Sequence, residues 1–164
     1  MKRPIKTFIV VIFLMTALSN CTQLEKTKET AIIKDVVMNY NRGIIEAAKT
    51  GDVKPLKDIA SEDVVKRLYL WLTAWRDSDA YMDAELKDIK YKSLNISGQT
   101  AKVLTLEEWL YEYKNTKNEQ IALPQTLVFY EMEYVLRKEE NNKNNNWIIT
   151  EVNIRSEKRG KGKG

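Results

Sequence analysis

The chain has 164 residues, 27 of them Lys or Arg and 23 Asp or Glu, with no His, one Cys, three Pro and 43% apolar residues. That length suits one ordinary domain. The absence of His excludes Ser-His-Asp and Cys-His catalysis and His-ligated metal sites, and a lone Cys excludes an internal disulfide and Cys-rich zinc or iron–sulfur centres.

Lys2, Arg3 and Lys6 make a positive start. Phe8 to Leu18 follows as an eleven-residue stretch, apolar except for Thr16. It is shorter than the roughly 20 apolar residues that span a bilayer. Residues 1–20 therefore read as a secretory signal peptide. Cys21 follows Leu18-Ser19-Asn20 directly. This junction resembles the lipobox of bacterial lipoproteins, in which a Leu stands three residues before the modified Cys; Asn20 stands where Gly, Ala or Ser is usual. The resemblance implies cleavage after Asn20, diacylglycerol on the Cys21 thiol, and an acyl chain such as palmitate on the new amine. Two or three chains anchor firmly where one binds marginally. The implied location is a bacterial cell membrane or outer membrane, on the side away from the cytoplasm. The bland alternative is a Cys buried in an N-terminal helix.

Without residues 1–20 the chain carries 24 basic and 23 acidic groups. The last ten residues hold a net +4, which leaves residues 21–154 at −3. A body so weakly charged argues against nucleic acid as a partner.

Residues 21–29 hold the lipidated Cys and a polar tether. From Glu29 to Lys49, Ile33, Val36, Val37, Tyr40, Ile44, Ala47 and Ala48 recur at helical spacing, and Gly51 stands where a terminating glycine belongs. Gly43 interrupts that pattern. Asp52 and Pro55 open a short second helix, Val53 to Ala60. Ser61 can cap a third, which carries Val64, Val65, Leu68, Leu72 and Trp75 on one side and stops near Arg76.

The period then changes from 3.6 to 2. Leu86 to Ile96 predicts a first strand, with Ile89 and Tyr91 out of phase with Leu94 and Ile96, the mark of a bulge near Ser93. Ser97-Gly98-Gln99 predicts a tight turn. Thr100 to Lys114, Leu127 to Lys138 and Trp147 to Arg155 are the other strands, with Pro124 at a strand start or edge. Residues 141–146, five Asn and a Lys, predict a solvated hairpin tip. Residues 156–164 read as a basic, disordered tail.

Three helices followed by four strands predict an α+β domain over residues 30–155, with the helices on one face of a curved antiparallel meander. The stretches Leu56–Glu62, Ala101–Tyr113, Tyr130–Leu136 and Trp147–Val152 are similar in order and spacing to the nuclear transport factor 2-like (cystatin-like cone) superfamily. Within it the chain resembles the small C-terminal domain of plastid-division proteins and their bacterial relatives. The resemblance implies a cone-shaped cavity and, for most of those relatives, a role in binding or assembly.

Four sets of residues could carry function. Trp71, Trp75, Tyr111, Tyr130 and Tyr134 could line a pocket or simply fill the core. Glu107, Glu131 or Glu133, with Tyr111 or Tyr130, could supply an acid–base pair, yet no spacing selects one, and cross-strand pairing with Lys or Arg explains Glu131 and Glu133 as well. The terminal Lys158, Arg159, Lys161 and Lys163 could meet anionic lipid or solvent. Trp109, Tyr111 and Tyr113 share one face of their strand, as an outward contact patch or an inward part of the core. The expectation is a lipid-anchored envelope module that binds a protein partner and catalyses nothing, without cofactor or metal. The alternatives are a small-ligand carrier or a His-free isomerase or hydrolase in the cone. A cavity of about 300 Å³ or more would favour a ligand.

Overall fold

A computed structural model describes residues 5–139 and 147–161, with side chains over 25–139 and 147–160. The elements in chain order are α1 (Ile5–Thr50), a 3₁₀ turn (Lys54–Asp58), α2 (Glu62–Arg76), β1 (Ala80–Ser97), β2 (Thr100–Asn115), β3 (Ile121–Lys138) and β4 (Trp147–Lys161). The strands form one open antiparallel sheet in the order β1-β2-β3-β4. The chain is thus an α+β meander, with two α-helices rather than three.

α1 begins at Ile5, well before the expected Glu29. Its sequence holds no Pro and a single Gly, and the residues before Glu29 include good helix formers such as Leu24, Glu25 and Lys26, so nothing stops the helix there. Ile33, Val37, Tyr40, Ala47 and Ala48 are buried, which makes the expected stripe the core face. Gly51 ends α1 at φ +79°, and its N–H donates to the Ala47 carbonyl at 2.7 Å. The Arg76 Nη2 donates to the Lys49 carbonyl at 2.6 Å and so ties the ends of the two helices together. Among the described residues no helix is long and apolar enough to cross a membrane.

The expected second helix is only a five-residue 3₁₀ turn. Pro55 removes a donor from it, and the chain is drawn out of helical geometry immediately afterwards. Ile149 N–H donates to the Ile59 carbonyl at 2.9 Å and Ser61 N–H to the Ile149 carbonyl at 2.8 Å. This bridge fastens the start of α2 to β4. Ser61 occupies the N-cap position, although its side chain makes no capping bond. α2 stops at Arg76, and Asp79, at φ 55°, turns the chain into β1.

β1 starts at Ala80, earlier than expected, because Ala80, Met82 and Ala84 alternate into the core. Its pairing with β2 shifts twice, between Leu86 and Asp88 and between Tyr91 and Ser93. The second shift is the bulge foreseen from the phase change. Gly98, at φ +58°, is the first of two residues linking Ser97 to Thr100. β3 begins at Ile121, with Pro124 at a register shift and beyond the last β4 pair, Thr126–Lys161, where its missing donor costs no ladder bond.

The tail expected from Ser156 onward is instead strand as far as Lys161. β3 would otherwise present bare backbone from Thr126 to Glu131, and Ser156 to Lys161 pairs with it. That gain needs no apolar side chains, so hydropathy does not reveal it. The Asn-rich tip at 141–146 lies outside the described residues.

The core lies between the helices and the inner sheet face, on which Val103, Tyr134, Leu136, Trp147 and Ile149 are all nearly inaccessible. On the outer face Leu106 and Phe129 are exposed.

Candidate functional site

The alternation of β2 sends Thr105, Glu107, Trp109 and Tyr111 to the face that α1 and α2 cover. β3 contributes Tyr130, Met132 and Tyr134 beside them, through the pairs Glu107–Tyr130, Thr105–Met132 and Val103–Tyr134. α1 brings Tyr40, Asn41 and Ile44, and α2 brings Arg67, Leu68 and Trp71. Together they enclose an open cavity of about 360 Å³. A second cavity of about 320 Å³ adjoins it and extends the same aromatic wall to Trp75 and Tyr113.

The buried end of the first cavity is polar. Glu107 is only 3% exposed, and its carboxyl accepts four hydrogen bonds. Tyr134 OH (2.7 Å), Thr105 Oγ1 (2.7 Å) and Asn41 Nδ2 (3.3 Å) donate to Oε1, and Trp109 Nε1 donates to Oε2 at 2.8 Å. The Trp109 and Asn41 groups can only donate, so both oxygens act as acceptors. Asn41 and Thr105 are fully buried, and each has its place through this network.

The surrounding phenols hold their protons tightly. Burial raises the Tyr134 hydroxyl well above the usual phenol range, and the Glu107 charge and hydrogen bond raise it further. Tyr40 is pushed up to about 12, mainly by burial, with Glu107 adding to the rise and Arg67 opposing it. Tyr111 is raised by burial and by its contacts with Tyr130. The Trp109 and Tyr111 rings stack with centroids 5.8 Å apart and planes 9° apart. Tyr40 and Tyr134 meet edge to face at 6.2 Å.

The aromatic residues singled out in the sequence therefore converge. Trp71, Trp109, Tyr111 and Tyr130 line the first cavity; Trp75 and Tyr113, with centroids 4.2 Å apart, line the second. Trp71 stands at the open end, 42% exposed. The outward patch of Trp109, Tyr111 and Tyr113 does not exist, because Trp109 is 3% exposed and the row faces the helices. Its phase includes Ala101 and Val103, which are also buried, and the other phase carries Lys102, Leu106 and Glu108 outward.

The three carboxylates separate cleanly. Glu131 and Glu133 lie on the outer face, where Lys92 (2.7 Å) and Arg155 (2.6 Å) hold them. Only Glu107 enters the cavity, and its hydroxyl partners are Tyr134 and Thr105 rather than Tyr111 or Tyr130. Asn41, Thr105 and Tyr40 were not singled out in the sequence as site residues. A signal was available: Asn41 interrupts the apolar stripe of α1, and Thr105 and Glu107 interrupt the inward phase of β2. Cys21 lies in α1, with its side chain outside the described residues. No group of three or more potential metal ligands occurs among the described residues.

No family model matches the chain, and no curated protein matches it. Among solved structures it is similar to the intermembrane space region of the chloroplast protein ARC6, with a TM-score of 0.61 and 16% identity, over 74% of this chain and 92% of that one. The likeness is one of fold. A de novo designed β-sheet protein aligns over 78% of this chain at 16% identity, with a TM-score of 0.34.

Proposed function

We propose that the chain is a lipid-anchored binding protein of the cell envelope, built on a nuclear transport factor 2-like cone, that holds a small ligand and does no chemistry on it. The carrying observation is the open cavity of about 360 Å³ with aromatic walls. Its volume falls in the range of small-molecule sites. The phenols beside Glu107 hold their protons tightly, Tyr134 and Tyr111 raised by burial and Tyr40 pushed up to about 12, which makes them poor proton donors for acid–base catalysis. Titration with the neutral fluorophore N-phenyl-1-naphthylamine tests this reading. Saturable enhancement that weakens in Trp71→Ala is expected, and no saturable signal would remove it.

The lipid anchor rests on Cys21 and the residues before it. Metabolic labelling with a fatty-acid analogue should mark the wild type and not Cys21→Ser; equal labelling of both would exclude the anchor. The protein-partner reading is kept second, favoured by exposed Leu106 and Phe129 on the outer sheet face. Crosslinking in intact cells tests it: a specific adduct lost in Leu106→Asp is expected, and an unchanged pattern removes it.

A further inference from the structure

Glu107 is a buried acceptor with no cation of its own. Among the described residues it forms no ion pair, and its four partners are neutral groups. Arg67, the cavity's cationic side chain, is an exposed residue of α2 that makes no hydrogen bond or ion pair among the described residues; its charge acts on Tyr40 across the cavity and does not pair with Glu107. Hydrogen-bond dipoles stabilise the carboxylate but leave its net negative charge in a poorly hydrated site. A neutral ligand offers that charge no partner, and a cationic one does.

Six aromatic side chains line the same cavity: Tyr40, Trp71, Trp109, Tyr111, Tyr130 and Tyr134. Ring quadrupoles attract cations within about 6 Å of the centroid, Trp most strongly. Oε1 already accepts three of the four bonds and Oε2 only one, so acceptor capacity is left on the carboxyl. A partly desolvated aromatic enclosure with one carboxylate at its end is complementary to an alkylated ammonium group: rings for the methyl or methylene shell, a negative charge for the nitrogen.

We infer that the ligand of this cavity is a small organic ammonium ion, seated among Trp71, Trp109 and the tyrosines with its charge directed to Glu107. This inference rests on the ligand-binding reading above and names the class of that ligand. Choline serves as the test cation, and 3,3-dimethylbutan-1-ol, which has the same shape without the charge, as its control. Calorimetry on the full chain in a non-ionic detergent should show choline binding at least about tenfold more tightly than the alcohol. Glu107→Gln, which keeps the shape of the side chain, should remove most of that preference and leave the alcohol within about twofold. Trp71→Leu, at the exposed end and away from the buried network, should weaken choline about fivefold with no loss of folding. That variant and the wild-type comparison decide even if Glu107→Gln does not fold. Equal affinity for the two compounds, or no choline binding where the naphthylamine still binds, overturns the ammonium assignment and leaves the carrier reading intact. Failure of the naphthylamine as well overturns both.

Discussion

Trp109 does two jobs with one side chain. Its ring is 3% exposed and stacks on Tyr111, and its Nε1 donates to Glu107. Trp109→Ala should therefore lower unfolding free energy by about 3–5 kcal/mol through lost burial and the cavity left behind. Trp109→Phe keeps most of the ring and strips one donor from the carboxylate. It should cost about 1.5–3 kcal/mol, the worth of a bond to a charged group. Urea denaturation of the pair checks this, and a loss below about 1 kcal/mol for the Ala variant would show that the ring is not part of the core.

At the scale of elements, α1 packs closely on the 3₁₀ turn at Gly43. A Cβ at Gly43 would overlap Leu56 Cδ2, and Leu56 is completely buried. Gly43→Ala gains about 1 kcal/mol of helix propensity and meets an overpacking cost of about 1–3 kcal/mol. A net loss near 1 kcal/mol is expected. In a Leu56→Ala background, itself costing about 2–5 kcal/mol, the clash is gone and Gly43→Ala should become stabilising. A double-mutant cycle by chemical denaturation reads the sign. The same Gly43→Ala effect in both backgrounds would mean that this contact does not set the seat of the turn on α1.

Over the whole molecule, the phenols of the cavity give folding a dependence on alkaline pH. Tyr40 is raised from 10.0 to about 12, and Tyr111 and Tyr134 are raised too, each mainly by burial. A raised folded-state pKa means that the native state holds protons which the unfolded state releases. The resulting stability is fully present below the unfolded phenol value, 10.0, and is lost as pH climbs through the folded value, about 12 for Tyr40. Stability should be flat through neutral pH on this account and fall steeply above about pH 10. Absorbance at 295 nm and near-ultraviolet circular dichroism, followed together, check it: the cavity tyrosines should ionise only as tertiary structure is lost. Complete phenol ionisation at the ordinary value with an intact near-ultraviolet spectrum would contradict it.

The sequence by itself determined the α+β class, the core face of α1, the end of α2, the β1 bulge and the tight Gly98 turn. These are local matters of periodicity, glycine conformation and helix-stopping residues, and they are written within a few positions of where they act. It also marked the aromatic side chains that came to line the cavities. What it left open depends on partners distant in the chain. Whether Val53 to Ala60 is helical was decided by Ile149, which pulls Ile59 and Ser61 into a bridge. Whether residues 156–161 are strand was decided by the bare backbone of β3. Which way the Trp109 row points follows from which phase of β2 the helices cover. The choice of Glu107 over Glu131 and Glu133 was likewise tertiary: the same residue type is held by Lys92 or Arg155 outside and by Asn41, Thr105, Trp109 and Tyr134 inside. A carboxylate's chemistry is set by its surroundings, and Asn41 and Tyr134, 93 positions apart, meet there only because the sheet folds onto α1.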